Sequence, residues 1–179
     1  MHLALAAKLG TEEWYDNPLI TLTKFGQQEL GNAKDRLVRE NKSVVPGRII
    51  AELQFGFWTS LLAFHYETNA KIWPGLVKRA FPNAPRKANV RKFLYLRFTK
   101  IRKLRNRVFH HERIIHWKDL ADRHGEIIQA IGWINDGMEE MSLRLDRFVE
   151  VYSAGVEPWK AKIQNHWPRG EQPKAAEKT

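Results

Sequence analysis

Apolar residues in this chain recur three and four positions apart, the spacing of one helix face, and no stretch alternates for long enough to make a strand. The pattern predicts an all-α protein. Thr21 to Glu40 reads as one or two helices, and Pro46 suits the first turn of another running through Arg48 to about His65. Pro74-Gly75 and the Phe81-Pro82-Asn83-Ala84-Pro85 run interrupt the next region, leaving a short helix between two turns. From about Arg86 to Phe109, Val90, Leu94, Ile101, Leu104 and Val108 form one stripe, with Tyr95, Phe98 and Phe109 beside it.

The C-terminal part is the most regular. Leu120, His124, Ile127, Ile131, Ile134, Met138, Met141, Leu145, Phe148 and Tyr152 step by four and three, a narrow seam for packing against other helices. Asn135-Asp136-Gly137 is expected to divide it into two helices, with Asn or Asp capping the second. Residues 1–155 are thus expected to form one helical domain, and 156–179, which holds Pro158, Pro168 and Pro173 among mixed charges, a loosely ordered basic tail. Trp58, Trp73 and Trp133 are expected in the core rather than as base-stacking platforms.

Composition narrows the class. With 179 residues there is room for a real core, and with no cysteine there is neither a disulfide framework nor a thiolate metal site. No apolar run reaches the roughly 20 residues needed to span a bilayer, and Met1 to Gly10 is too short and weakly organised for a signal peptide. A cytoplasmic protein without membrane partners is the expectation. The formal charge is +10, from 30 Lys and Arg against 20 Asp and Glu. Its distribution says more: no acidic residue lies between Glu67 and Glu112, while thirteen cations do, among them Arg97, Lys100, Arg102, Lys103, Arg105 and Arg107. Solvated faces usually mix signs, so a one-signed run points to a polyanion such as RNA.

That run ends in Arg105-Asn106-Arg107-Val108-Phe109-His110-His111-Glu112. Cleaving RNA through its own 2′-hydroxyl needs a base for the hydroxyl proton, an acid for the leaving oxygen, and a fixed cation beside the phosphorane. Histidine titrates near neutrality and arginine stays charged. Asn106 and His110 are four apart and share a helix face, as do Arg107 and His111. Arg105 and His110 would lie about 140° apart on a regular helix. Either the helix is irregular there, or two symmetric copies complete the site between them. The catalytic candidates are therefore Arg105, Asn106, His110 and His111; Arg97, Lys100, Arg102, Lys103, Arg107 and Glu112 are candidates for holding nucleic acid.

The same residues resemble the R-x4-6-H signature of HEPN domains, in the form found in Abi-like (abortive infection) proteins. Arg48-Ile49-Ile50-Ala51-Glu52-Leu53-Gln54-Phe55-Gly56-Phe57-Trp58, with Ile72-Trp73 and Phe81-Pro82 after it, is similar to the block those proteins carry upstream, so the likeness runs from about Leu22 to Gly155. It implies a helical bundle that dimerises and joins two motifs in a basic cleft, cutting RNA without a metal or other cofactor. Arg105 would stabilise the phosphate, His110 or His111 move protons, and Asn106 orient them. The setting it implies is phage defence or a toxin held in check by an antitoxin or regulatory partner. The sequence departs from the family at Arg113, where a proline usually stands, and Met1 to Ala7 looks like the end of a helix whose earlier part the family normally has.

Plainer readings stand beside these. His110 and His111 are also what a helix C-terminus favours, Arg105 and Arg107 could simply belong to a basic surface, and Glu112 is expected to pair with a neighbouring cation. Asn106 in mid-helix is unfavourable by propensity and suggests a task, though an interhelical hydrogen bond would serve. A metal site among His110, His111, Glu112, His116 and His124 is disfavoured, because His111 and His116 are five apart where a zinc-protease helix needs four. A non-catalytic RNA- or partner-binding module of the same fold is the alternative to the ribonuclease.

Overall fold

In the computed structural model, which describes residues 1–68, 72–73 and 75–166, the side chain of Thr23 opens the first long helix by accepting the Gly26 N–H at 3.2 Å. That helix, α2, spans Lys24–Arg39; α1 (His2–Leu9) and a 3-10 turn at Trp14–Asp16 precede it. Then come α3 (Pro46–Glu52), α4 (Phe55–Ser60), α5 (His65–Thr68), α6 (Val77–Ala80), a 3-10 turn at Arg86–Ala88, α7 (Arg91–Phe109), α8 (Leu120–Ile134), α9 (Asp136–Leu145), α10 (Phe148–Ala154) and α11 (Glu157–His166). The described residues contain no strand, and the fold is all-α.

The chain divides into two compact units, Met1–Arg144 and Leu145–Thr179. In the first, α2 packs on α3 and α4, and α7 on α4 and α8. Trp14, Phe57, Tyr66 and Leu94 are wholly buried at its centre. Each buried side chain of this size stabilises by about 1.5–3 kcal/mol. Their polar atoms are satisfied: Trp14 Nε1 donates to His2 Nδ1 at 2.9 Å, Trp73 Nε1 to the Leu61 carbonyl at 2.7 Å, and Tyr66 Oη accepts from the Thr23 N–H at 3.2 Å. Trp73 and Trp133 lie in the core and Trp58 packs against it, as expected.

Two helices differ from their sequence expectation for reasons of packing. The helix predicted from Pro46 to about His65 is broken, because Leu53 and Gln54 are extended. Neither residue is a local breaker. Instead Arg36 of α2 donates to the Glu52 carbonyl at 2.8 Å and pairs with its carboxylate at 3.0 Å, ending α3 where Leu53 turns into the core. The long C-terminal seam divides at Asn135 as expected, its Oδ1 accepting the Met138 N–H at 2.9 Å. The seam is not the buried face, however: α8 buries Ala130 and Trp133 from the neighbouring face, and of the seam residues in α8 Leu120 is buried, His124, Ile127 and Ile131 are half-buried and Ile134 is exposed, as are Met138, Met141 and Leu145 beyond it. On the other side, Asn83 closes the end of α8, donating its side-chain amide to the Gly132 carbonyl at 3.0 Å and its N–H to the Trp133 carbonyl at 3.2 Å.

In the second unit α10 lies where helix was expected, and α11 is helical where the loose tail was expected to begin. Asp146 Oδ1 accepts the Phe148 N–H at 2.8 Å, Phe148 and Tyr152 stack with ring centroids 5.1 Å apart, and Pro158 sits in the first turn of α11, where its missing N–H costs nothing. The tail expected beyond His166 lies outside the described residues. No helix among the described residues is long and apolar enough to cross a membrane.

Candidate nucleic-acid interface

α7 carries the basic run, and its inner face explains where that run goes. Leu94, Phe98 and Leu104 are buried, but Val90 at one end of the predicted stripe is 53% exposed, and Val108 and Phe109 at the other are 48% and 64% exposed. The last turn of α7 therefore overhangs the core, presenting Arg105, Asn106, Arg107 and two apolar side chains to solvent. The helix stops at Phe109. His110 is the capping residue, its N–H bonded to the Asn106 carbonyl at 2.9 Å, and His111 comes next in the left-handed region at φ 55°. The N–H of His111 reaches the Val108 carbonyl at 3.1 Å and that of Glu112 the Arg107 carbonyl at 2.9 Å. This paired closure is the Schellman ending of a helix, whose left-handed position is normally glycine. α2 ends the same way with Asn41 at φ 53°, a residue type that tolerates that backbone.

Of the two expected ways to join Arg105 and His110, an irregular helix or a second copy, the structure shows the helix ending at Phe109, before the histidines. It puts both histidines, exposed, on a turn just past the helix. The guanidinium of Arg105 lies 3.9 Å from the centre of the Phe109 ring and its Nη1 donates to Asn106 Oδ1 at 3.4 Å. Among the described residues, no hydrogen bond joins Arg105 to either histidine. Arg107 forms an ion pair with Glu112 across the turn, the pairing anticipated for that carboxylate. Since both are half exposed, the pair contributes about 1 kcal/mol or less.

The structure separates the cations that the sequence grouped. Arg97 is largely covered: it pairs with Glu126 at 3.5 Å, donates to Gln129 Oε1 at 3.4 Å, and lies 5.1 Å over the Trp133 ring and 5.5 Å over Phe93. Lys100 shares the same Glu126 at 3.7 Å. Arg102 donates to Thr59 Oγ1 at 3.3 Å, tying α7 to α4. Arg91 is buried, bound to Glu67 at 2.6 Å and to the Leu62 carbonyl at 2.9 Å. A run without acids in sequence thus meets acids in space, Glu67 of α5 and Glu126 of α8; Arg91, Arg97 and Arg102 tie helices together, while Lys100 stays exposed beside Glu126. Lys103, Arg105 and Arg107 remain on the exposed face with the motif.

Two aromatic residues take a part at this site that the sequence reading does not give them: Phe109 is placed beside the apolar stripe, and Trp117 is not assigned. Phe109 carries the Arg105 stack, and Trp117, in the α7–α8 connection, lies under Arg123 at 4.5 Å and Arg107 at 5.8 Å. The sequence signal was aromatic residues interleaved with arginine beside a motif, a pattern that suits stacking of unpaired bases. Among the described residues no group of three or more His, Asp or Glu is placed to hold a metal ion. No protein-family model, curated protein or solved structure matches the chain.

Proposed function

We propose that the protein is a metal-independent endoribonuclease of the HEPN type, in an Abi-like form, working as a homodimer in phage defence or under the control of an antitoxin. The observation that carries the reading is His111 at φ 55°, in a position where glycine would be cheaper and where the neighbouring His110 and the exposed Arg105 and Asn106 crowd one helix end. In this reading one histidine removes the 2′-hydroxyl proton. The freed oxygen attacks phosphorus while a histidine, from the same or the second copy, protonates the departing 5′-oxygen, leaving a 2′,3′-cyclic phosphate. Arg105 stabilises the phosphorane charge, Asn106 holds its partner in place, and Lys103 and Arg107 bind flanking phosphates.

One observation favours a second reading. Arg105 is engaged by Phe109 and Asn106 rather than by a histidine, which suits a non-catalytic surface that grips phosphates and stacks bases. The two separate cleanly. Purified protein incubated with structured RNA in EDTA, beside Arg105→Ala, His110→Ala and His111→Ala, is expected to cut, and the variants to bind without cutting. A folded wild type that binds RNA and never cuts it supports the binding module.

A further inference from the structure

At 64% exposure, Phe109 leaves a large aromatic ring in water at the end of α7, and it is not among the apolar side chains that form the core or pack against it. The guanidinium of Arg105, four residues earlier on the same helix face, covers one side of that ring at 3.9 Å from its centre. A side chain this exposed leaves its other side to solvent. Among the described residues no carboxylate pairs with Arg105, so its charge is not neutralised within the chain.

Trp117 differs on both counts. It is half-buried, and the two guanidinium groups over it, of Arg107 and Arg123, each have an acid of their own in Glu112 and Asp119. Its stack is closed, whereas that of Phe109 is open. An exposed ring beside an unneutralised guanidinium offers what one nucleotide needs, a π-face for the base and a cation for the phosphate. The exposed Lys103 and Arg107 on the same helix end favour a polyanion over a second apolar surface. In a duplex the bases are paired and stacked on one another, and taking one out costs free energy, so an open ring meets a base readily only where the RNA is unpaired.

We infer that Phe109 is the stacking platform for an unpaired base, with Arg105 on the phosphate beside it, and that this residue selects single-stranded or looped RNA over duplex. The inference rests on the reading of this helix end as an RNA site. It is tested by fluorescence anisotropy of the intact protein in EDTA with a short 2′-O-methylated oligoadenylate, free and annealed to its complement, so that binding is read without cutting. Phe109→Ala is expected to weaken the free strand by about 5- to 150-fold, the range of one base–aromatic stack, and to leave the duplex and the melting temperature unchanged. Phe109→Leu, which stays apolar but has no π-face, is expected to follow alanine, and Phe109→Trp to bind the free strand as wild type does. Undiminished binding of the free strand by Phe109→Ala or Phe109→Leu, or an equal loss with the duplex, would overturn the proposal. So would a change from dimer to monomer in sedimentation of Phe109→Ala, which would make the ring a contact between copies. Each of those results leaves the ribonuclease reading to be judged by cutting of natural RNA, whereas a folded wild type that binds neither form removes the RNA site itself.

Discussion

Replacing His111 by glycine should stabilise the protein while removing a residue proposed to act on RNA. At φ 55° a residue with a Cβ is strained, by roughly 1–2 kcal/mol in the left-handed helical region. Histidine adopts this conformation more readily than most residues, so the lower end applies. Glycine relieves that strain but has more freedom to lose from the unfolded chain, which returns about 0.5–1 kcal/mol. The two hydrogen bonds that close α7, from His111 and Glu112, come from the backbone and survive the change. A net gain of about 0–0.5 kcal/mol remains, and for a chain of this size each kcal/mol raises Tm by about 2–4 °C. His111→Gly is therefore expected to melt at the wild-type temperature or up to about 2 °C above it by calorimetry, and His111→Ala to melt below His111→Gly, since alanine keeps the Cβ. Asn41→Gly provides the control, with the same helix ending at φ 53° and a residue already at ease there, so its gain should be smaller. A His111→Gly protein melting below the wild-type temperature, or no higher than His111→Ala, would refute the reasoning, because the left-handed position would then impose no strain.

The packing implies three further outcomes. Glu67→Ala leaves the buried guanidinium of Arg91 with the Leu62 carbonyl and the Phe64 ring but no counter-charge from Glu67, and because Glu67 itself is about a third exposed the loss should be about 2–3 kcal/mol in urea denaturation, less than for a fully buried pair. Arg97→Ala and Lys103→Ala should diverge: the first loses the Glu126 pair and the Trp133 stack and destabilises by about 1–2 kcal/mol, whereas the second leaves stability within about 0.5 kcal/mol and lowers the salt dependence of RNA binding by about one counterion. Asn135→Ala removes the cap of α9 and should cost about 1 kcal/mol, with helical content falling in circular dichroism.

Local signals in the sequence were matched closely by the structure where they were strong. Pro46 at a first turn and Asn135 between two helices each act through their own backbone or side chain, so they can be read without knowing the fold. The break at Leu53 could not be read this way, since its cause is Arg36, on another helix, holding the Glu52 carbonyl. Charge was legible as a sum and not as a surface. Arg97 and Lys100 find Glu126 from α8 and Arg91 finds Glu67 from α5, and the acid-free run hid both partners. At the motif, residue types and spacing pointed to the end of α7, but nothing in His110-His111 announced a left-handed turn where glycine or asparagine is usual. The overhang of Val108 and Phe109 was likewise hidden, because their stripe continues that of Leu94 and Leu104 while the core stops short of them.

The most direct test of the proposed function tracks the 2′-hydroxyl itself. One RNA would be incubated with the protein in EDTA in its natural form and, in parallel, with every 2′-hydroxyl methylated, and the fragment ends and the binding of each would be measured. The account predicts that the natural RNA is cut to fragments ending in 2′,3′-cyclic phosphate or 3′-phosphate, while the methylated RNA is bound and stays whole. Cleavage of the methylated RNA, or fragments carrying 5′-phosphate and 3′-hydroxyl ends, would contradict it.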